Sequence, residues 1–185
     1  MATNAMELYR HHSGQMESCD LLEWQSHTVL GGAIRLFTRK EVNHSSIIIR
    51  PREYAGLANR RFLIEALGGG LVPRLLSTRL EEFKGRVWWH PLRPNLITVE
   101  ARQRMAEWAI LETVKGTRYD YGSLLGNMFS RVNVDASRWF CSEAYTAMLM
   151  EGGLYPRDSK ALRPGEFDVL NVHLPPVLVY DTVDM

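Results

Sequence analysis

The chain has 185 residues, enough for one domain with a real core, and its 45% hydrophobic and 23% charged residues are those of an ordinary globular protein. A formal net charge of +1 excludes the strong positive field of a nucleic-acid or anionic-membrane binder. The two cysteines, Cys19 and Cys141, are too few for a disulfide framework and suit a reducing compartment or a free reactive thiol, although a bridge between them would silence any thiol chemistry.

In chain order, Met1 to Ser18 is polar and weakly patterned, and reads as a short arm or a first helix. It carries no apolar core before a small-residue cleavage site, and nothing downstream has the length of a membrane span, so the expected address is cytoplasmic, with a phage protein or one exported without a signal as the alternatives. Cys19 to Trp24 reads as a short strand. His27 to Arg39 is mixed, with Gly31-Gly32 delaying any helix. The apolar run Ser46 to Arg50 predicts a buried strand, followed by a charged connection from Pro51 to Arg60. Phe62 to Leu67 is a further strand, ended by Gly68-Gly69-Gly70, and Leu71 to Leu76 pairs back as a hairpin whose Pro73 argues for an edge. Arg86 to His90 is another strand, stopped by Pro91 and Pro94.

Thr98 opens the clearest helix. It is a good N-cap, Glu100 suits the first turn, Gly116 closes the helix after Lys115, and Ala101, Met105, Trp108 and Leu111 share its apolar face. Tyr119 to Phe129 is a second helical or loop segment. Asp135 and Ser137 are candidate caps for a third helix through Cys141 to Met150, which stops at Gly152-Gly153. Val177 to Tyr180 reads as a last strand. The order, strands first and then helices, reads as α+β in one domain spanning 1–185.

Chemistry concentrates in two places. Trp139-Phe140-Cys141-Ser142-Glu143 sits where a helix begins, and the unpaired N–H groups of a helix start depress a thiol pKa. Taken alone, Cys141 reads first as a core cysteine, because free cysteine is among the most buried residue types. Asn43-His44-Ser45-Ser46 leads into Ile47-Ile48-Ile49, a rigid platform for an imidazole, which favours His44 over His11, His12, His27, His90 and His173. Glu65, a charge inside Phe62-Leu63-Ile64-Glu65-Ala66, either faces outward or asks for a buried partner.

The bland readings cover the rest. His11-His12 with Cys19 fits no zinc spacing, so no metal site and no cofactor are expected. Three glycines without a following lysine do not make a phosphate loop. Arg60-Arg61, Arg74 and Arg79 read as a solvated face; Trp88-Trp89 read first as both packing in the core against a covering helix, and otherwise as one core residue with the other reaching a surface or cleft.

Five motifs occur together in one order: Cys19-Asp20-Leu21-Leu22, Asn43-His44-Ser45-Ser46-Ile47, Phe62-Leu63-Ile64-Glu65-Ala66, Tyr119-Asp120-Tyr121-Gly122 and Phe140-Cys141-Ser142-Glu143. On these the run from Asp20 to Tyr180 resembles the circularly permuted branch of the NlpC-type papain-like hydrolases, often called YiiX-like, in which the histidine strand precedes the cysteine helix. The resemblance implies a papain-like α+β fold, a small antiparallel sheet packed on helices. It implies Cys141 as nucleophile, His44 as base and later acid, Glu65 as the group orienting His44, and Tyr119 beside the oxyanion site, with the Cys141 N–H as one oxyanion donor. The implied activity is cleavage of an amide bond in a peptide-like substrate, such as a cell-wall peptide, through an acyl-enzyme. Transfer of a lipid acyl group, as in the lecithin:retinol acyltransferase type, and a non-catalytic binding module are the alternatives. No nucleic acid and no stable membrane insertion are expected, and the sequence does not decide the oligomeric state. The chain departs from the family pattern at Cys19, where a glycine is usual, and in the connection from Pro51 to Arg61, which is longer.

Overall fold

The computed structural model describes residues 2–26, 41–67, 70–115 and 140–183. Among them, six strands make one antiparallel sheet in the order β4-β3-β2-β1-β5-β6. The strands are β1 (Leu21–Ser26), β2 (His44–Ile49), β3 (Phe62–Leu67), β4 (Gly70–Leu75), β5 (Gly85–His90) and β6 (Val177–Asp181). The helices are α1 (Ala2–Ser13), α2 (Leu76–Glu81), α3 (Val99–Val114) and α4 (Phe140–Glu151), with a 3-10 turn at Phe167–Val169. The arrangement is α+β, and β4 lies at an edge, where Pro73 removes no donor from an inner ladder.

Alternation along the strands divides the sheet into two apolar faces. Leu21 pairs with Ile47 on one side and with His90 on the other, and Ile47 pairs with Ile64. These residues face α3 and α4, whose Met105, Ala109, Ala144, Tyr145, Met148 and Leu149 close over them. Leu22, Trp24, Ile48, Leu63, Val87 and Trp89 point the other way, into a second core covered by α1 and α2 through Ala5, Tyr9, Leu76 and Leu80. A sheet covered on both faces needs apolar residues at nearly every central position, which the run Ile47-Ile48-Ile49 supplies.

Helix α3 begins as its sequence requires, with the Thr98 side chain accepting from Ala101 N at 3.1 Å. Leu111 is not on its inner face: it is 55% exposed. At about 100° per residue, position 112 falls almost in line with Ala101 and Met105, whereas 111 lies to one side. Glu112 takes the inward place, paired with Lys115 at 2.6 Å.

Two of the four arginines, Arg61 and Arg79, differ from a solvated face. Arg61 is fully buried and donates to the carbonyls of Met16, Ala58, Arg60 and Gly14. It fastens the turn after α1 to the end of the 51–60 connection. Arg79 packs over the rings of Trp24 and Phe83.

Asp20 ties the start of β1 to three other segments. Its carboxylate accepts from Glu17 N, Trp89 Nε1, Leu92 N and Arg102, at 2.9 to 3.1 Å. Just before it, Cys19 has φ 72°, in the left-handed region that favours glycine. The backbone at this position thus takes a shape that ordinarily calls for a glycine.

Candidate functional site

His44 is the first residue of β2, held there by its neighbours. Asn43 N donates to Trp24 O, and the Asn43 amide exchanges bonds with Ser26 through its backbone N and its hydroxyl. The imidazole points to the α1/α2 face beside Trp24, with ring centroids 6.2 Å apart. Glu65, on β3, shares that face. Its Oε1 lies 2.8 Å from His44 Nε2, with the imidazole 15% exposed and the carboxylate fully buried.

A buried carboxylate needs compensation, and Glu65 has it. Arg79 Nε is 3.3 Å and Arg74 3.9 Å from its Oε2. Burial pushes the carboxyl up, but the hydrogen bond and charge of His44, with Arg79 and Arg74, outweigh it and hold Glu65 below the usual range. Glu65 is therefore an ionised acceptor that fixes which way the His44 ring faces. The charged residue inside an apolar strand has its partner, and it is the residue the sequence paired with it.

Cys141 is the second described residue of α4. The side chains of Phe140 and Cys141 lie outside the described residues, as do Tyr119, the 119–129 segment, Asp135 and Ser137. What the structure does place is the body of α4. It covers the sheet face opposite to the one on which His44 and Glu65 project. Glu143, in the first turn of α4, is half-buried with Oε2 lacking a hydrogen-bond partner, and burial pushes its carboxyl up to about 7.

Cys19, the other thiol, is free, fully buried and donates to Arg102 O at 3.4 Å. Burial pushes it far above the ordinary thiol range, so it offers no thiolate near neutral pH.

The α3/α4 face carries polar groups that the sequence reading passed over. Glu23 Oε2 is 3.2 Å from His90 Nε2, and Tyr145 donates to Cys19 O at 3.1 Å and shares a 2.8 Å bond with His173 Nε2. Burial and the neighbouring His90 bring the His173 pKa down to about 4, so it is neutral at pH 7. Of the tryptophan pair, Trp89 is core and bonds Asp20, whereas Trp88 reaches a cavity of about 290 Å³ that it shares with Glu23, Glu41, His90 and Asp168. Its wall mixes the charged Glu23, Glu41, His90 and Asp168 with the apolar Val42, Trp88 and Pro176.

No family model matches the sequence, and no curated protein matches it. Among solved structures the fold is similar to that described as metalloprotein yiiX from Escherichia coli O157:H7, with a TM-score of 0.54 and 15% identity, covering 91% of this chain and 99% of that one. At that identity the likeness is one of fold: a YiiX-like α+β arrangement. No helix among the described residues is long and apolar enough to cross a membrane.

Proposed function

We propose that the chain is a cysteine hydrolase of the permuted papain-like type, cleaving an amide bond in a peptide-like substrate. The observation that carries this reading is the His44–Glu65 pair: an imidazole at a strand start, its Nε2 held at 2.8 Å by a fully buried carboxylate. That is the base-and-orienter half of a thiol triad. The other half is a cysteine in the first turn of a helix, where unpaired backbone N–H groups favour a thiolate and offer an oxyanion donor.

In the proposed reaction His44 takes the Cys141 proton. The thiolate attacks the amide carbon, and the tetrahedral oxyanion collapses as His44 returns a proton to the departing amine. A water, deprotonated by His44, then splits the thioester and restores the thiol. Tyr119 stands beside the oxyanion by the family resemblance. Because α4 covers the other face of the sheet, thiol and imidazole can meet only past the end of the strands. His44 stands at such an end, as the first residue of β2.

The opposed faces favour a second reading, a binding module that keeps the fold without thiol chemistry. Mass spectrometry after incubation with murein peptides and with phospholipids, on the protein and on Cys141→Ala, separates the readings. The expected result is an acyl adduct on Cys141 from the peptides, absent in the variant. An adduct from phospholipids alone replaces the amidase by an acyltransferase. No adduct, with Cys141 also inert to iodoacetamide at neutral pH, leaves the binding module.

A further inference from the structure

Between the sheet and the loop before β6 lies a cluster that the proposed thiol chemistry does not use. Glu23 on β1 stands opposite Trp88 on β5, and Leu21 stands opposite His90, so Glu23 and His90 are diagonal neighbours on the α3/α4 face. Asp168, in the 3-10 turn, joins them from above. One donor atom from each of the three residues lies within 4.8 Å of the others.

The burial pattern is that of a built pocket. Glu23 and His90 are each 3% exposed at the side chain, while Asp168 is 61% exposed and opens the cluster to solvent. Glu23 is fully engaged: its Oε1 accepts from Gly165 N at 2.7 Å and its Oε2 faces His90 Nε2 at 3.2 Å. His90 Nδ1 is buried and has no hydrogen-bond partner, and Asp168 Oδ1 lies 3.6 Å away, beyond hydrogen-bond reach. A cation between this buried nitrogen and the facing carboxylate satisfies both. With ligand bonds of about 2.0–2.2 Å, two ligands of a tetrahedral ion stand roughly 3.4 Å apart. The Nδ1–Asp168 separation is close to that.

We propose that His90 Nδ1 and Asp168 bind a divalent transition-metal ion of the zinc type, with Glu23 orienting the imidazole through Nε2–H. The arrangement is carboxylate, histidine, metal, in which the outer carboxylate sets the ring's direction and raises its basicity. Glu41 lines the same cavity and adds a third carboxylate to its wall; water completes the coordination. One imidazole with carboxylate oxygens suits zinc or a similar ion better than calcium or magnesium, which prefer oxygen alone. The ligands come from β5 and the turn after Gly165, so an ion here pins the loop before β6 to the sheet.

Calorimetric titration of the full chain with zinc chloride tests this, alongside Asp168→Asn, Glu23→Gln and the double variant His11→Ala/His12→Ala. Asp168 is at the surface, so its variant folds, which circular dichroism checks. The expected result is one zinc equivalent on the protein, weakened at least tenfold in Asp168→Asn and about 10- to 100-fold in Glu23→Gln, with the His11/His12 variant unchanged. Absence of binding, equal binding by Asp168→Asn, or loss confined to the His11/His12 variant overturns the proposal.

Discussion

At the scale of single residues, Glu65 is the strongest constraint on the candidate site. Its folded pKa lies below the ordinary value, so its ionised form adds stability above about pH 4.3, lost as pH falls through the lower folded value. Glu65→Ala removes the charge that Arg79 and His44 share and costs about 3 kcal/mol at pH 7. In urea unfolding, the gap between the protein and Glu65→Gln narrows below pH 4. Glu143 behaves in the opposite sense. Its folded pKa of about 7 lies above the unfolded one, so its contribution is complete below pH 4.3 and disappears as pH rises through 7. Glu143→Gln therefore gains stability relative to the parent between pH 5 and pH 8, which the same unfolding series reads. Cys19 tests the backbone: at φ 72°, Cys19→Gly changes stability by less than about 1 kcal/mol, because relief of the left-handed strain offsets the lost side chain, while the β-branched Cys19→Val costs more than about 2 kcal/mol.

At the scale of elements, the legible features were those with local causes. Thr98 caps α3, Pro73 places β4 at an edge, and the isoleucine run makes an inner strand. The His44–Glu65 pair was legible because a charge inside an apolar strand demands a partner and the motif order supplied one. Partners distant in sequence were not. Glu23, His90 and Asp168 meet only through a β1–β5 register and a turn far downstream, and no local pattern marks a diagonal pair. Arg61 read as surface because arginine is almost always solvated, yet four carbonyls in two turns make its burial tolerable. The same logic makes Asp20 a joint between elements. Asp20→Ala removes the carboxylate paired with Arg102, orphans the Trp89 indole and two backbone donors, and is expected to cost about 3–5 kcal/mol in chemical denaturation.

At the scale of the whole molecule, a six-stranded sheet with a core on each face separates two sets of polar groups. His44 and Glu65 belong to the face under α1 and α2; Glu23, His90, His173 and Tyr145 belong to the face under α3 and α4, the helix that begins at Phe140. The YiiX-like arrangement spans most of the chain, and in it the proposed thiol chemistry needs the start of α4 and the start of β2 to meet beyond the strand ends. The rate of Cys141 alkylation by iodoacetamide against pH, in the protein and in His44→Ala, followed by peptide mapping that keeps buried Cys19 apart, addresses this meeting most directly. The account predicts a midpoint well below the ordinary thiol value of about 8.5, rising toward it when His44 is removed. An ordinary midpoint, identical in both proteins, would contradict it.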